Sequence, residues 1–418
     1  MRGVNRAALI ATALALAGCN SGSATPSPPP KQSPVATPPA TAAPAPPPAA
    51  AAAVAAVPPG GTPAPTAAQI AGMAGQPLYL ALCKQCHGED AKGYAADHAP
   101  SLVNPTFLES ASDDFLRRSI AAGRPGTSMG GYGRARGGPL DDAAVGRLVQ
   151  FLRGQGPPPQ PLPATTAGDA AVGAAVYAKR CLSCHGNAQL RGEAVSLVNA
   201  GFLADASDAF LRHAIVHGRP GTKMEPFAGA LSDAEIDGVV SYLRAQGGPP
   251  PVELLPEPTG KEPLVINPSG KPPHFTLRAD PCPPLPPGVK ETCKPDPRFA
   301  SVDQVAAAVR AKQRLVIIDA RPASDWQRVH IAGAVSIPYF DMKRLDELPG
   351  DGTWVVAYCA CPHHLSGVVV DELRRRGYTH SAVLDEGINV WHQRGYPVVA
   401  AEGVKPPPKE LPPVAPKR

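Results

Sequence analysis

Two five-residue motifs are decisive for the fold of this chain: Cys83–His87 has the sequence CKQCH, and Cys181–His185 has the sequence CLSCH. On a short helical turn, cysteines three positions apart lie on one side, and the next residue directs its imidazole under the same face. The pattern C-x-x-C-H is the attachment site of a c-type haem. A single copy also fits a redox C-x-x-C pair or half of a zinc site, but the duplication favours two covalently bound haem c groups. The expected thioether positions are Cys83, Cys86, Cys181 and Cys184.

The two motifs belong to an internal repeat. Residues 101–129 and 196–224 are identical at 19 of 29 positions without a gap, which indicates two domains that arose by duplication. Each copy has Ser-Asp before a helix-like Phe-Leu-Arg run, which is an N-cap pattern. Each ends in Gly-Arg-Pro-Gly-Thr-x-Met, a turn that cannot continue the helix. A closing amphipathic helix is predicted over Asp141–Gly154 in the first copy and Ser232–Gln246 in the second.

Together, the motif, the repeat and the methionine turn resemble class I c-type cytochromes over residues 69–156 and 168–247. The resemblance implies two all-α electron-transfer domains in which a methionine on a later loop binds iron opposite the histidine. The implied axial ligands are one histidine and one methionine per domain: His87 with Met129, and His185 with Met224. A thioether is a soft, weak ligand that raises the potential. The alternative role for each methionine is to fill the core.

The two copies differ after the methionine. Residues 130–138 of the first copy are glycine-rich and include Arg134 and Arg136, whereas the second copy continues with Glu225 and Pro226. Glycine leaves the backbone unrestricted, so we expect the first loop to be more mobile and more positive. The two haems are therefore expected to differ in potential.

From about residue 298 to residue 402 the pattern changes to alternating strands and helices. Buried strands are predicted over Leu315–Asp319, Trp354–Tyr358 and Ala382–Leu384, and a helix is predicted over Ser366–Arg376. This alternation predicts a parallel α/β sheet with functional groups at the carboxyl ends of its strands.

Over this span the sequence resembles the rhodanese family. The resemblance rests on an ordered series of motifs: Ile318–Arg321, His330–Pro338, Tyr358-Cys359, Leu384–Gly387, Trp391 and Gly395–Val398. It implies that Cys359 accepts sulfane sulfur and holds it as a persulfide. It also implies that backbone N–H groups of the next loop form an anion cradle that stabilises the thiolate.

The loop after Cys359 departs from the usual rhodanese pattern, which has one cysteine and usually arginine or glycine. Here Cys361, Pro362, His363 and His364 follow. Pro362 removes one N–H donor, and the two histidines are expected to stabilise a thiolate or bind a metal. Cys361 is the alternative nucleophile or a resolving thiol. The domain is thus either a thiosulfate or persulfide sulfurtransferase, or a non-catalytic module for docking or redox sensing.

Residues 1–18 resemble a bacterial lipoprotein signal. Arg2 and Arg6 precede an apolar run that ends at Cys19 and is too short to span a bilayer. The resemblance implies that Cys19 is lipidated and anchors the chain to a bacterial membrane, facing the periplasm. The alternative is an ordinary cleaved signal peptide. Residues 19–68 are rich in Ala and Pro, cannot bury a core, and are expected to form a disordered tether.

The remaining proline-rich segments are predicted to be linkers. They are residues 157–167, residues 248–297 and the tail 403–418, and such segments act as semi-rigid spacers. Cys282 and Cys293 flank a proline-rich loop and are expected to form a disulfide in an oxidising compartment. The net charge of +5 does not suggest a nucleic-acid partner. Expected partners are redox proteins, such as other cytochromes, an oxidase or a reductase, with thiosulfate or a persulfide as sulfur substrate.

Overall fold

A computed structural model describes residues 65, 67–93, 99–247, 253–280, 295–360 and 363–410, all within one compact unit. Every helix in these ranges is too short or too polar to cross a bilayer. Several predicted features lie outside the described residues: the signal, nearly all of the tether, Cys19, Cys282, Cys293 and Cys361.

Two helical domains occupy the duplicated part of the sequence. The first contains α1 (Ala67–Gly72), α2 (Gly75–Leu82), α3 (Lys84–His87), α4 (Pro105–Ser110), α5 (Asp113–Ala122) and α6 (Asp142–Arg153). The second contains α7 (Ala170–Arg180), α8 (Leu182–His185), α9 (Ala200–Asp205), α10 (Asp208–His217) and α11 (Asp233–Ala245). It also contains the short strand β1 (Leu190–Arg191), which pairs in parallel with Lys409–Glu410 near the end of the described chain. Asn104 and Asn199, and likewise Ser112 and Ser207, cap equivalent helices through their side chains. The closing helices α6 and α11 confirm the prediction and lie one residue inside its bounds at each end.

The helices α7 and α11 of the second domain cross at a pair of glycines. A Cβ atom added to Gly173 would lie only 1.9 Å from the carbonyl oxygen of Gly238. The two backbones therefore approach closely because neither residue has a side chain. This crossing holds α7, which leads directly into the C-x-x-C-H turn, against the closing helix.

The third domain is an α/β sheet flanked by helices. Its strands are β2 (Val265–Ile266), β3 (Arg278–Asp280), β4 (Asp296–Ala300), β5 (Leu315–Asp319), β6 (Val329–Ile331), β7 (Val335–Ser336), β8 (Trp354–Tyr358), β9 (Ser381–Leu384) and β10 (Val398–Ala400). Its helices are α12 (Val302–Arg310), α13 (Ala323–Arg328), α14 (His364–Arg375) and α15 (Gly387–Gln393). The main sheet has the order β2-β5-β8-β9-β4-β3, with β7 paired to β5.

The centre of this sheet is parallel, as the sequence predicts. Strand β8 lies between β5 and β9, and all three run in the same direction. Alternate residues of β5 pack on opposite faces, with Val316 and Ile318 in one apolar cluster and Leu315 and Ile317 in another. Burial on both faces explains the continuous apolar run from which the strand was predicted.

Part of the predicted linker 248–297 belongs to this sheet. Strand β2 pairs antiparallel with β5, and β3 pairs antiparallel with β4. This part of the segment is therefore not a spacer, and the outer strands of the sheet are antiparallel. Strands of two or three residues are stabilised by backbone hydrogen bonds to their neighbours, so they leave no periodic apolar pattern in a proline-rich sequence.

Candidate functional site

The two C-x-x-C-H turns have the same backbone geometry. The carbonyl oxygen of Cys83 accepts hydrogen bonds from the N–H groups of Cys86 at 3.3 Å and His87 at 3.0 Å. The carbonyl of Cys181 accepts from Cys184 at 3.2 Å and His185 at 2.9 Å. Both turns are thus single helical turns, in which paired cysteines lie on one side.

Each turn is fixed from behind by a buried tyrosine. The hydroxyl of Tyr79 donates to the carbonyl of Gly88 at 2.7 Å, and that of Tyr177 donates to Gly186 at 2.7 Å. Both glycines have positive φ, 80° and 67°, where a side chain would be strained. The chain can therefore reverse direction immediately after each histidine.

The two histidines are buried and oriented as metal ligands require. His87 Nδ1 lies 3.2 Å from the carbonyl oxygen of Pro100, and His185 Nδ1 lies 2.8 Å from that of Val195. Because a carbonyl only accepts, Nδ1 carries the proton and Nε2 keeps the lone pair that iron needs. Burial also lowers the pKa of His185, which keeps its ring neutral.

The thiols are poorly suited to redox chemistry of their own. Burial raises the pKa of Cys83 to about 12 and that of Cys181 to about 11. A redox C-x-x-C pair needs a lowered thiol pKa. In the described part of the chain, no group of three or more His, Cys, Asp or Glu side chains is arranged to hold a metal ion. The raised pKa values favour thioether attachment of haem over a redox pair.

The predicted ligands Met129 and Met224 lie on identical turns. In the first, Arg124 N–H donates to the carbonyl of Met129 at 2.7 Å, and Thr127 Oγ1 accepts from the N–H of Met129 at 3.1 Å. Arg219 and Thr222 make the same bonds to Met224, at 2.8 and 3.1 Å. Each half-buried methionine is thus held on a hydrogen-bonded turn, and the residues present fit a haem with histidine and methionine ligands.

The two helical domains contact each other through these methionine turns. The side-chain amide of Asn104 donates to the carbonyl of Pro220 at 2.9 Å, and that of Asn199 donates to Pro125 at 2.9 Å. These residues occupy equivalent positions in the two copies, so the contact has approximate twofold symmetry. Each domain thereby holds the methionine turn of the other.

An aromatic cluster fills the centre of the same contact. Phe115 and its counterpart Phe210 stack with ring centroids 4.9 Å apart. Phe107 and its counterpart Phe202 each meet the opposite ring edge-on, at 6.3 Å. The two domains therefore share a core and are not separated by the proline-rich segment 157–167 between them.

One position breaks the symmetry of this contact. Arg124 in the first methionine turn pairs with Asp205 of the second domain at 2.6 Å. The residue equivalent to Asp205 is Ser110, so Arg219 bonds instead to Thr106 Oγ1 and the carbonyl of Gly218, each at 3.2 Å. Burial lowers the pKa of Arg219 to about 10. The second methionine turn thus carries a less compensated positive charge.

In the third domain, Cys359 lies at the carboxyl end of β8, where the sequence places the nucleophile. Its side chain is 3% exposed, and its Sγ lies 3.3 Å from Oγ of Ser366 in the first turn of α14. The Ser366 hydroxyl donates to the carbonyl of His363 at 3.3 Å. Sequence reasoning missed Ser366. The signal that could have identified it is its position: a hydroxyl residue just after the cysteine loop, at the start of a helix.

Of the two predicted loop histidines, His363 has a well-defined role in the loop. It adopts a positive φ of 88° directly before α14, and its Nε2 lies 3.2 Å from Oδ1 of Asp385 and bonds to the Asp385 carbonyl. His364 is the half-buried first residue of α14. Burial lowers the pKa of His363, which favours the neutral ring.

Arg278, which lies in the predicted linker, also contacts Asp385, the partner of His363. Its Nε and Nη2 donate to the two carboxylate oxygens of Asp385 at 2.8 and 2.6 Å. This bidentate pair lowers the pKa of Asp385. No local pattern in the sequence identifies Arg278 as a residue of this site, because its partner Asp385 lies 107 residues away.

The α/β domain lies directly on the first helical domain. The Tyr339 hydroxyl donates to the carbonyl of Leu82 at 2.7 Å and lies 3.1 Å from the Tyr132 hydroxyl. Ser324 Oγ accepts from the N–H of Gly131 at 2.9 Å. The α/β domain therefore contacts both the segment that leads into the first C-x-x-C-H turn and the loop after Met129.

The glycine-rich loop after Met129 is packed, contrary to the expectation of mobility. Gly130, Gly131 and Gly133 are buried, and a Cβ on Gly130 would lie 2.7 Å from a carboxylate oxygen of Asp325. Gly130 thus allows close approach between the domains, whereas Gly131 and Gly133 allow the loop to pack on Ala121 of its own domain. One apolar cluster includes Leu82 and Cys359, with Cys83 packed against it.

Duplicated helical domains with C-x-x-C-H turns define c-type cytochromes, and an α/β domain with a cysteine at a strand end is typical of rhodanese-like proteins. Family comparisons agree with both. A model described as cytochrome c oxidase, cbb3-type, subunit III matches residues 71–152 and 168–243, and a rhodanese-like domain model matches residues 301–394. The chain is therefore a c-type cytochrome fused to a rhodanese-like domain. Domains of the first kind bind haem c covalently.

Individual relatives match parts of the chain. It is similar to the dihydro-heme d1 dehydrogenase of Pseudomonas aeruginosa, 43% identical over 77 residues, which are 18% of this chain and 15% of that protein. It is similar to the cbb3-type cytochrome c oxidase subunit FixP of Bradyrhizobium sp. (strain ORS 278), 28% identical over 194 residues, 44% of this chain and 64% of FixP. The chain thus spans less than two thirds of either relative. The rhodanese-like domain of an Anabaena protein is 21% identical over 29% of this chain and 92% of its own, with a TM-score of 0.24.

Proposed function

We propose that this protein is a dihaem electron carrier of the bacterial cell envelope that takes electrons from sulfur oxidised at its rhodanese-like domain. The observation that carries the proposal is the packing of that domain against the first cytochrome domain, with Cys359 and Leu82 in one apolar cluster. Such packing joins the candidate sulfur site and the first C-x-x-C-H turn through one apolar core.

The residues assign one haem to each cytochrome domain. The paired thiols Cys83 with Cys86, and Cys181 with Cys184, would hold the porphyrins, and His87 and His185 would each ligate iron through Nε2. Met129 and Met224 would supply a thioether ligand from their hydrogen-bonded turns. Haem c, when bound, supplies a one-electron couple between ferric and ferrous iron. The shared contact between the methionine turns supports exchange of electrons between the two domains.

At the rhodanese-like domain, two reactions differ in their electron count. Transfer of sulfane sulfur from thiosulfate to the Cys359 thiolate forms one S–S bond, breaks another and releases sulfite, so no electrons are left over. Joining the Cys359 thiolate to a bisulfide ion forms a persulfide and releases one proton and two electrons. Two one-electron sites in the same chain accept that pair, so bisulfide is the substrate that couples sulfur chemistry to electron transport.

The test is an anaerobic absorption measurement on the haem-loaded full chain. Bisulfide is expected to reduce both haems in the wild type, and Cys359→Ser is expected to abolish this reaction while ascorbate still reduces both. Cys361→Ser is the matched control and should retain reduction if Cys359 is the nucleophile. Equal haem reduction by bisulfide in the wild type and in Cys359→Ser contradicts the coupling.

One observation favours a second function for the rhodanese-like domain. Because Cys359 is only 3% exposed, the domain also fits a non-catalytic docking or redox-sensing module on a pure electron carrier. Under that function, neither thiosulfate nor bisulfide loads sulfur onto Cys359. Mass spectrometry of the intact protein after exposure to each donor distinguishes the two, because a persulfide adds the mass of one sulfur atom.

We also propose that Cys19 anchors the chain to a bacterial membrane by a lipid, with the redox domains facing the periplasm. The lipoprotein-like signal before Cys19 supports this. Cys19→Ser is expected to move the protein from the membrane fraction to the soluble fraction without loss of haem. Retention of Cys19→Ser in the membrane would contradict the anchor.

A further inference from the structure

Each methionine turn begins with an arginine that is mostly withdrawn from solvent. The backbone N–H of Arg124 donates to the carbonyl of Met129 at 2.7 Å, and its Nη1 donates to the carbonyl of Gly123 at 3.3 Å. A Cβ atom on Gly123 would lie 2.5 Å from the Met129 carbonyl oxygen, so this glycine packs directly on the turn. The second turn repeats the arrangement at Arg219, with 2.8, 3.2 and 2.5 Å for the same three distances. One guanidinium therefore lies beside each predicted methionine ligand.

Both guanidiniums also lie on aromatic rings at the centre of the contact between the two domains. The Cζ atom of Arg124 lies 5.1 Å from the ring centroid of Phe115. That of Arg219 lies 5.6 Å from the centroid of Phe210 and 5.9 Å from that of Phe107. A ring face attracts a cation but has no net charge. The aromatic cluster thus holds both arginines without neutralising either.

Only the first of the two arginines has a carboxylate partner. Asp205, the last residue of α9, is 13% exposed and pairs with Arg124 at 2.6 Å. The equivalent helix α4 ends in Ser110, and Arg219 bonds only to the Thr106 hydroxyl and a backbone carbonyl. In the described part of the chain Arg219 makes no ion pair, and its pKa of about 10 keeps it charged at neutral pH. The arginine charge is thus balanced at the first methionine turn but not at the second.

The other buried charges near the first turn balance one another. The Asp325 carboxylate would meet a Cβ atom on Gly130 at 2.7 Å, and it is attracted by the half-buried Arg328. Arg321 pairs with Asp319 at 2.7 Å, and both are buried. These two pairs leave no net charge on this side of the first turn.

The remaining charged groups near the two turns act weakly on them. Glu109, 27% exposed, lies 3.9 Å from His213 and not against the Arg219 guanidinium, and burial lowers the pKa of His213 and favours its neutral ring. The other groups are exposed, so water and salt screen their charges. They are Arg118, Arg134, Arg136, Lys223 and Glu225. The unbalanced charge of Arg219 is therefore the main electrostatic difference between the two turns.

A fixed positive charge raises the potential of a nearby haem. Ferric iron has one more positive charge than ferrous iron, so a neighbouring cation disfavours the oxidised form. The charges of a close ion pair largely cancel at a distance. Since both domains have the same predicted axial ligands, the unequal balance of Arg124 and Arg219 is expected to set the order of the two potentials.

We infer that Asp205, by neutralising Arg124, makes the first cytochrome domain the site of lower potential, so that electrons pass from the first haem to the second. The inference rests on the proposed dihaem electron transfer and gives its direction. In each transfer, one electron leaves ferrous iron of the first domain and reduces ferric iron of the second, and no atom or proton is exchanged. Electrons from the rhodanese-like domain, which packs on the first domain, thus move away from it.

The test is a spectroelectrochemical titration of the haem-loaded full chain at pH 8, above the ordinary pKa of histidine. It resolves a lower and a higher potential. Asp205→Asn removes the charge of Asp205 and keeps its shape. The variant is expected to raise the lower potential and leave the higher one in place. The equilibrium constant for electron transfer between the haems is expected to fall about tenfold, which corresponds to ~59 mV for one electron.

Ser110→Asp tests the inference from the other domain. A cavity of about 170 Å³, lined by Ser110, Asp205 and the stacked rings of Phe115 and Phe210, leaves room for the added carboxylate. The approximate twofold symmetry of the contact places that carboxylate near Arg219. The variant is expected to lower the higher potential and leave the lower one in place. It keeps the inference open to refutation if Asp205→Asn loses haem.

The matched control is Asp114→Asn, the same change of charge at a side chain that is 77% exposed and 3.9 Å from Arg118. It is expected to change the equilibrium constant by less than about twofold, because solvent screens this carboxylate. Potentials that stay in place in Asp205→Asn overturn the inference. So does a rise of the higher potential in that variant, or a fall of the lower potential in Ser110→Asp.

Failure of the inference is distinguishable from failure of the proposed function. The alkaline pyridine spectrum counts the covalent haems, and reduction by dithionite shows whether both respond. A chain without two such haems contradicts the proposed function itself. A chain with two responsive haems whose potentials do not move as stated contradicts only the assigned order of the potentials.

Discussion

Replacing Asp205 by alanine is expected to weaken the contact between the two cytochrome domains by about 2–3 kcal/mol. The Asp205 carboxylate accepts from Arg124 at 2.6 Å and from Arg118 at 2.8 Å. The side chains of Arg124 and Asp205 are only 14% and 13% exposed. The change leaves a desolvated guanidinium without its carboxylate, with only the Gly123 carbonyl and the Ser119 hydroxyl as acceptors, at a cost of about 1.5–3 kcal/mol. Arg118 is 52% exposed, and its bond adds less than about 1 kcal/mol.

Urea titration of the haem-loaded chain, followed by haem absorption, measures this loss from the shift of the midpoint. Asp114→Ala is the matched control, because Asp114 also faces Arg118, at 3.9 Å, but is 77% exposed. That control is expected to lose less than about 0.5 kcal/mol. Equal midpoints for Asp205→Ala and Asp114→Ala would refute the reasoning that burial of Arg124 sets the cost.

Three further changes test other parts of the structure. Burial raises the pKa of Asp325 to about 6, above the value near 4 in the unfolded chain. The folded state therefore favours the protonated carboxyl, and the free energy of unfolding falls as the pH rises from about 4 to about 6. Asp325→Asn should flatten that part of the pH profile of urea unfolding, by up to about 3 kcal/mol, and an unchanged profile counts against the raised pKa. Tyr339→Phe removes the donor to the Leu82 carbonyl and should cost about 1–3 kcal/mol of docking, seen as faster proteolysis between the domains; unchanged proteolysis speaks against a contribution from this bond. Gly173→Ala places a methyl group 1.9 Å from a carbonyl oxygen and should reduce haem incorporation in the second domain, whereas Gly72→Ala, with open space around it, should not; equal incorporation in both would show that the helix crossing tolerates a side chain.

The haem turns were predictable because their geometry is local. The backbone hydrogen bonds that close the Cys83–His87 turn, from Cys86 and His87 to the carbonyl of Cys83, join residues three and four positions apart, so the spacing of residue types determines the turn. The duplicated methionine turns and the central strands could be predicted from the sequence for related reasons. A turn is encoded by its glycine and proline, and a strand buried on both faces is encoded by its continuous apolar run.

The sequence was a poor guide where a residue acts through a distant partner. The glycine-rich loop after Met129 suggested mobility, because glycine is flexible in an isolated chain. In the folded protein, the missing side chains of Gly130 and Gly137 instead allow another domain to approach. Arg278 was overlooked for a similar reason, since only the folded sheet brings it to Asp385.

By itself, the sequence indicated the residues of the candidate sites: two C-x-x-C-H turns, two methionine turns and one cysteine at the end of a buried strand. These features depend on neighbours along the chain, and short-range geometry follows from residue type and spacing. Only the tertiary structure decided which cytochrome domain the rhodanese-like domain covers and how the methionine turns meet. Those choices depend on contacts such as Tyr339 with Leu82, 257 residues apart, where shape and burial across separate domains determine the outcome.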